Sequence, residues 1–301
     1  MTRARLLAFC TPLLLLLASP AGAFALNINE DYKPQNEFKL DPWIQIDIGP
    51  IDMSINKAVF YVLTTCVLTV TLMVYIARRM EARPGRVQAV VEGYYGLIET
   101  VTKGNMEGAM IRRWFPFLAS VFLFIWISNM LGYLPLPTNT EHKVDIFGAQ
   151  IPSLALYAAT ANISVPLVLT LIVVCSYHFE GIRAKGFFAY LKGWIPAGVE
   201  GPARIPIFFI EVISHFVRLV SLSVRLFANI LAGHLLILFM GGGLVVLLNL
   251  AVVGSVVLGA ITGAMAVAFF LFEVGLVATL QAFIFTTLAA IYLGGAVAEE
   301  H

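Results

Sequence analysis

Three charged side chains recur at a regular spacing inside an otherwise apolar part of the 301-residue chain. Glu211, Arg218 and Arg225 are seven residues apart. On an α-helix each lies only about 20° from the one before, because seven residues make nearly two full turns. The same face carries three more polar side chains, each four residues from an arginine: Ser214, Ser221 and Asn229. Such a polar stripe on a buried helix must face water, another polar helix, or both.

Arg225 is the member of the stripe that most strongly indicates a function. It lies near the middle of its apolar stretch, and arginine cannot lose its proton to escape an apolar surrounding. An arginine at mid-bilayer costs about 2.5 to 3.5 kcal/mol even on the lenient insertion scale. Glu273 is the only other acidic group in the late apolar region, which argues against a static ion pair. Two interpretations of Arg218 are open. Its side chain extends to the membrane–water interface, or it pairs with Glu211.

The same region holds other groups that can carry protons or hold water. His215 and His234 have side chains that titrate nearest neutrality, although a single histidine in a membrane is as often a packing residue as a relay. Glu273 lies within a run of phenylalanines and is expected to bind a proton unless water or a cation reaches it. Gln281 is neutral and polar. The sequence therefore predicts a proton path that includes Glu273.

The composition excludes several classes of protein. Hydrophobic residues make up 59% of the chain and charged residues 12%, against roughly 25% charged in soluble domains. Lysine and arginine (19) nearly balance aspartate and glutamate (18), which leaves no basic surplus for nucleic acid. The cysteines stand singly in apolar runs, with no disulfide or zinc spacing: Cys10, Cys66 and Cys175. The chain is therefore a membrane protein.

Apolar stretches predict an all-α integral membrane protein with about five transmembrane helices. They lie at about 55–77, 114–136 and 153–177, followed by a long region at 205–293 that is interrupted near residue 241. A helix over 205–240 would be about 54 Å long, whereas a 30 Å core crossed at about 40° uses only about 39 Å. This helix must lean strongly or leave the membrane early. The stretch from 244 to 293 is either one tilted helix preceded by a short one, or two spans.

The amino-terminal end has the layout of a secretory signal over residues 1–25, with two arginines, a leucine run and an A-x-A ending. A retained first helix is the alternative. Residues 26–53 then form an exported tail, 54–296 one membrane domain and 297–301 a short carboxyl-terminal tail. Lysine and arginine number seven and four in the first and third connections, against three in the tail and one in the second connection. This asymmetry puts the tail outside the cell.

Residues 87–103 predict an amphipathic helix on the cytoplasmic face of the membrane. Its apolar side chains fall on one helical stripe, which comprises Val87, Val90, Val91, Tyr94, Tyr95, Ile98 and Val101.

Two of these segments resemble the hallmark helices of subunit a of F-type ATP synthase. The first runs from Ser221 to His234 as SLSVRLFANILAGH, and the second is LQAFIF from Leu280 to Phe285. Residues 126–135, with Asn129, and residues 161–164 are similar to earlier helices of the family. The resemblance covers most of residues 55–293.

This resemblance implies a non-catalytic stator subunit with two aqueous half-channels. The last two long helices, residues 205–293, would form a tilted hairpin across a rotating ring of c subunits, with Arg225 facing the carboxylate of the ring. Asn229 and Gln281 would flank the arginine. His234 and Glu273 would belong to the exported-side channel, Glu211 and Ser221 to the cytoplasmic side, and three residues would be supporting: Arg218, Asn129 and His215.

The family also implies partners and a location. The partners would be the c ring, the b subunits of the peripheral stalk, other ATP synthase subunits, the lipid bilayer and protons. No cofactor, metal or nucleic acid is expected. The protein would be a multi-pass protein of the bacterial inner membrane with an exported amino terminus and a cytoplasmic carboxyl terminus.

The sequence departs from the family pattern at two places. His234 stands where many bacterial relatives have glutamate. Glu273 and Gln281 are eight residues apart rather than about seven, and one residue turns a side chain by 100° on a helix. The extra residue makes Glu273 the least secure of the predicted site residues.

Three other functions compete with this interpretation. A secondary transporter would use Arg225 to bind an anion, but no second copy of the Arg225 region indicates repeated halves. An intramembrane metalloenzyme would need His215, His234 and Glu211 together, although no HExxH motif is present. A purely structural subunit would have no reason to keep a central unpaired arginine.

Overall fold

The computed structural model describes residues 40, 42–48, 51–81, 85–136, 143–146, 149–152, 156–195, 201–243 and 252–298. Within these ranges, five helical segments are long and apolar enough to cross a membrane. The predicted all-α membrane class is therefore confirmed. The predicted signal segment and most of the tail after it lie outside the described residues, as do residues 299–301.

The helices follow one another along the chain as α1 (Lys57–Arg78), α2 (Arg86–Asn105), α3 (Gly108–Gly132), α4 (Ser164–Lys185), α5 (Phe187–Lys192), α6 (Arg204–Leu238), α7 (Val252–Phe272) and α8 (Ala278–Val297). Short 3₁₀ turns cover Ala159–Ala161 and Gly201–Ala203, and π-helical turns cover Phe239–Gly243 and Glu273–Val277. Because the second π turn joins α7 to α8, residues 254–297 form one helical segment of 44 residues.

Small antiparallel hairpins precede α1 and α4. Strands β1 (Pro42–Ile44) and β4 (Ile55–Asn56) pair with each other, and β2 (Asp47–Ile48) pairs with β3 (Ile51–Asp52). Strands β5 (Lys143–Ile146) and β6 (Ala149–Pro152) form the other hairpin. Helix α1 begins directly after β4, where the side chain of Asn56 accepts a hydrogen bond from the Val59 amide at 3.1 Å.

The first two membrane helices match their predicted spans within a few residues, but the predicted start of the third span was wrong. Helix α4 begins at Ser164, whose amide donates to the Asn162 side chain at 3.0 Å. The apolar residues just before it form a buried connection, in which Tyr157 and Ala158 are almost fully covered. Hydropathy does not distinguish an apolar loop packed inside the protein from an apolar helix, so the sequence placed the span too early.

The long apolar region at 205–293 resolves into two long helical segments. Helix α6 has no break over its 35 residues, which corresponds to about 52 Å. For the second part, a single long helix is observed from Val252 to Val297, continuous through its π turn, and the short helix that was expected before it lies outside the described residues. Helices α6 and α7 contact each other, so the two segments form a hairpin.

Helix α3 lies at the centre of the bundle and contacts α1, α2 and α8, while α4 packs between α6 and α8. The main core is built from apolar side chains of these helices, including Leu118, Phe122, Ile125, Phe285 and Leu293. Between membrane helices such a core stabilises by close van der Waals packing, because lipid tails are as apolar as the side chains. The core holds α8 firmly and leaves one side of α6 uncovered.

The predicted amphipathic segment is helical, as α2, and part of its apolar stripe packs on neighbouring helices. The Tyr94 ring packs on Phe122 at 5.1 Å and its hydroxyl donates to the Ala119 carbonyl. Ile98 and Val101 are buried, whereas Val90 is 74% exposed. Helix α2 contacts α3 and α8, and its buried side chains lie in these contacts.

Candidate functional site

Arg225 projects from the uncovered side of α6. Its neighbours on this face include Val217, Val220 and Val224, and with Ser221 they line a shallow concavity of about 480 Å³. Among the residues that the structure describes, none forms a hydrogen bond or an ion pair with the Arg225 guanidinium. The Arg225 side chain therefore lies on an open and mainly apolar surface.

One group of polar side chains lies toward the amino-terminal end of α6. Arg218 Nη2 donates to Glu211 Oε1 at 3.4 Å, and the Arg218 guanidinium lies 5.5 Å from the ring centre of Tyr292. Of the two possibilities for Arg218, pairing with Glu211 is the one observed. His215 Nε2 lies 3.6 Å from the same Glu211 oxygen.

Aromatic and histidine side chains from neighbouring helices extend this group. The Tyr177 hydroxyl and His215 Nδ1 are 2.8 Å apart, and the Tyr190 hydroxyl and His178 Nδ1 are also 2.8 Å apart. The rings of His178 and His215 have centroids 4.8 Å apart. Sequence reasoning missed Tyr177, His178 and Tyr190, because nothing in the spacing of α4 and α5 shows that they meet α6.

A second group lies beyond Arg225 along α6, where Glu273 and His234 come together. Tyr133 bridges them: its hydroxyl donates to Glu273 Oε2 at 3.0 Å, and its ring stacks on His234 at 4.8 Å between centroids. The carboxyl group of Glu273 lies against Gly233, where a Cβ atom would overlap it. The predicted pair is thus assembled around Tyr133, a residue that the sequence analysis did not select.

His234 is almost completely buried and has a backbone carbonyl at each ring nitrogen. Nδ1 lies 3.0 Å from the Ile230 carbonyl oxygen, and Nε2 lies 3.1 Å from that of Gly132. A neutral imidazole carries only one N–H, so both contacts are hydrogen bonds only in the protonated ring. Either carbonyl can therefore accept a hydrogen bond from the ring, whichever nitrogen carries the hydrogen.

The π turn at Glu273–Val277 lies between Glu273 and Gln281, which are eight residues apart. A π turn adds one residue to a helix without displacing the later turns of that helix. Glu273 is the first residue of this turn, and both it and Gln281 are buried. The extra residue is therefore absorbed locally, and Glu273 still reaches Tyr133.

Neutral polar groups connect the second group to the rest of the bundle. Asn129 Nδ2 donates to the Ala278 carbonyl at 3.3 Å, and the Thr160 hydroxyl donates to Asn129 Oδ1 at 2.8 Å. Gln281 is buried on α8, and Asn229 is half-buried one turn beyond Arg225. These contacts make Asn129 a positioning residue for the start of α8.

The two polar groups lie on opposite sides of Arg225 along the same helix. Glu211 is fourteen residues before it and His234 nine residues after it, which correspond to about 21 Å and 13 Å of helix. His215 and His234 are 19 residues apart, or about 28 Å, so they cannot ligate one ion together with Glu211. This geometry argues against the metalloenzyme alternative.

Fold and site together define a multi-pass membrane protein in which Arg225, without a partner among the described residues, lies between two separate polar groups. Comparison with known proteins identifies the family. Residues 59–294 match the family model of the ATP synthase A chain, and this chain belongs to that family. Curated relatives named ATP synthase subunit a from Brucella ovis, Brucella canis and Brucella suis are each 33% identical over 270 residues, covering 89% of this chain and 98% of each relative.

Proposed function

We propose that this chain is the ion-translocating stator subunit of an F-type ATP synthase, with two half-channels that carry protons to and from a rotating c ring. It performs no ATP chemistry itself. The observation that carries the proposal is the position of Arg225, which is unpaired within the described chain and open on one face of α6.

The apolar face around Arg225 needs a partner that supplies a negative charge. An arginine turned toward lipid costs about 2.5 to 3.5 kcal/mol or more, whereas a carboxylate about 4 Å away returns about 4 kcal/mol at an effective dielectric constant of 20. The c-ring carboxylate is the partner we assign to this face. The same attraction favours the ionised form of that carboxylate, so each carboxyl group that passes Arg225 releases its proton.

The two polar groups support two separate half-channels. We assign the group at Glu211, with Ser221 nearer Arg225, to the cytoplasmic side, because the connection that precedes α6 is rich in lysine and arginine. The group at His234 and Glu273 then belongs to the exported side, with Asn229 and Gln281 next to Arg225. The Arg225 charge repels a proton that would cross directly between them, so flow requires rotation of the ring.

Blocking direct flow matters energetically. A charge that crosses the membrane releases about 2.3 kcal/mol per 100 mV, and a leak past Arg225 would dissipate all of it. We propose the remaining partners and the location from the family: the c ring on the open face of α6, the b subunits of the peripheral stalk elsewhere, and a bacterial inner membrane with an exported amino terminus and a cytoplasmic carboxyl terminus.

Replacing Arg225 tests the proposal in the assembled complex. Arg225→Ala is expected to lower ATP synthesis and ATP-driven proton pumping at least about 100-fold, because the ring carboxyl groups then keep their protons at mid-membrane. Arg225→Lys should also be defective, since a lysine presents a shorter, differently hydrated point charge. ATP synthesis and acidification of inverted vesicles are the measurements.

Arg183→Ala is the matched control, because Arg183 is an exposed arginine at the end of α4 and should tolerate the change. The amounts of c ring and peripheral stalk that co-purify with each variant report assembly. Coupled synthesis that persists in assembled Arg225→Ala complexes would contradict the proposal.

A further inference from the structure

The cluster where α4, α5 and α6 meet contains two histidines whose rings lie side by side. We propose that His178 and His215 form a proton-transfer site that exchanges protons between Glu211 and the water on the same side of the membrane. The inference rests on the proposed function, because it assigns these residues to the half-channel that contains Glu211. No residue of the Arg225 to Glu273 path takes part in it.

Each histidine is held at Nδ1 by a tyrosine hydroxyl. Tyr177 holds His215 and Tyr190 holds His178, both at 2.8 Å. A hydroxyl group can donate to a bare nitrogen or accept from an N–H. Each ring therefore keeps its hydrogen bond whether it is neutral in either tautomer or protonated, as a proton carrier requires.

Tyr190 is positioned to keep a hydrogen bond to His178 in each protonation state of the ring. It lies in α5, outside the membrane-spanning helices, and burial raises its pKa above the ordinary value of 10.0. The hydroxyl therefore stays protonated in the physiological range. Its ring packs against Gly181 of α4, where a Cβ atom would overlap it, so the approach of Tyr190 to His178 depends on that glycine.

His215 Nε2 is free to receive a proton. It is buried, has no hydrogen-bond partner among the described residues, and lies 3.6 Å from Glu211 Oε1. In the step we propose, the Glu211 carboxyl group gives its proton to Nε2, which leaves a carboxylate and an imidazolium. The carboxylate remains stabilised by Arg218 at 3.4 Å. With Nε2 protonated, His215 gives up the hydrogen on Nδ1 through the Tyr177 hydroxyl at 2.8 Å, and the proton passes by way of the adjacent His178 ring to water.

The surroundings limit the pair to one proton at a time. The ring centroids are 4.8 Å apart, and two imidazolium ions at this separation repel each other. The positive charge of Arg218 adds to this repulsion. The titratable and charged groups around the two rings come from four helices and are Glu211, Arg218, Tyr177, Tyr190 and Tyr292. The cluster therefore carries protons singly.

Passive proton conduction through vesicles stripped of the catalytic sector tests the proposal. His215→Phe, His215→Gln and His178→Phe, each in the full assembled complex before stripping, are expected to slow conduction at least about tenfold. The wild-type rate should depend on the pH on the Glu211 side, and this dependence should flatten in all three variants. Ser176→Ala is the control, because Ser176 lies on α4 and its hydroxyl bonds only its own helix, at the Ile172 carbonyl.

His215→Gln separates proton transfer from a structural role. Glutamine keeps hydrogen-bonding groups near Tyr177 and Glu211, but its side chain does not titrate and cannot relay a proton. Wild-type conduction with a wild-type pH profile in His215→Gln would overturn the inference, even if His215→Phe fails to assemble. The Arg225→Ala experiment reports on the proposed function separately. Loss of coupling there together with normal His215 variants would reject only the histidine site.

Discussion

At the scale of single residues, the second polar group depends on a close contact between two helices. The carboxyl group of Glu273 on the π turn lies against the bare backbone of Gly233 on α6 and accepts a hydrogen bond from Tyr133. Only glycine leaves room there, because any side chain would meet the carboxyl group. Gly233, which has no side chain, therefore determines where the carboxyl group of Glu273 lies.

Gly233→Ala is expected to destabilise the protein by about 1 to 3 kcal/mol and to impair proton translocation, because the new methyl group displaces Glu273 from Tyr133. Without that clash, alanine would gain up to about 1 kcal/mol inside a helix. Gly93→Ala in α2 is the control, since no atom lies within 4 Å of its added Cβ. Thermal inactivation of ATP-driven pumping is the measurement, and equal behaviour of the two variants would refute the packing argument.

At the scale of elements, the π turn between α7 and α8 decides which way the end of α7 faces. Helix α8 is fixed by its packing on α3 and α4, so the extra residue must be accommodated before Ala278. The five residues Glu273–Val277 do so. As a result, Glu273 reaches Tyr133 while Gln281 stays in the buried face of α8.

Deleting Gly275 is expected to remove the π turn and to rotate Glu273 by about 100° relative to α8. The carboxyl group then loses Tyr133, and passive proton conduction and ATP synthesis should both fall. Gly275→Ala keeps the residue count and adds a Cβ to open space, so it should behave as wild type. If the variant that lacks Gly275 conducts protons at the wild-type rate, the π turn has no part in positioning Glu273.

At the scale of the whole molecule, the described helices keep two polar groups apart and leave an apolar face carrying Arg225 between them. The stretch of α6 that includes Phe216, Val217 and Val220 is exposed and lines the same concavity as Arg225. The first group is partly open, with Glu211 and Arg218 each about one-third exposed. The second group is closed, since His234 and Glu273 are both buried.

Cysteine labelling from each side of the membrane should show that the amino-terminal part of α6 and the start of α4 face opposite sides. In a background in which the native cysteines, including the exposed Cys66 and Cys175, are replaced by serine, Ser214→Cys should react with a charged, impermeant thiol reagent in inverted vesicles. Asn162→Cys should react only in right-side-out vesicles. Mass shifts of the purified subunit report the labelling, and reaction of both positions from one side would contradict the assignment of the two groups.

The sequence by itself determined the membrane class, the polar stripe on α6 and the central arginine. Hydropathy over some twenty residues and a seven-residue spacing are local properties, and a charge that cannot be neutralised in an apolar run has few explanations. The sequence also singled out His234 and Glu273, but it gave no indication of Tyr133 between them.

Only the tertiary structure decided how the helices meet. The bridge through Tyr133, the histidine pair with its tyrosines and the start of α4 after a buried loop all depend on residues distant in the chain. The π turn shows most clearly how tertiary packing changes what the sequence spacing predicts. An eight-residue spacing on a regular helix predicts a misplaced Glu273, whereas packing of α8 on α3 and α4 forces the extra residue into a local turn and returns the carboxyl group to its partner.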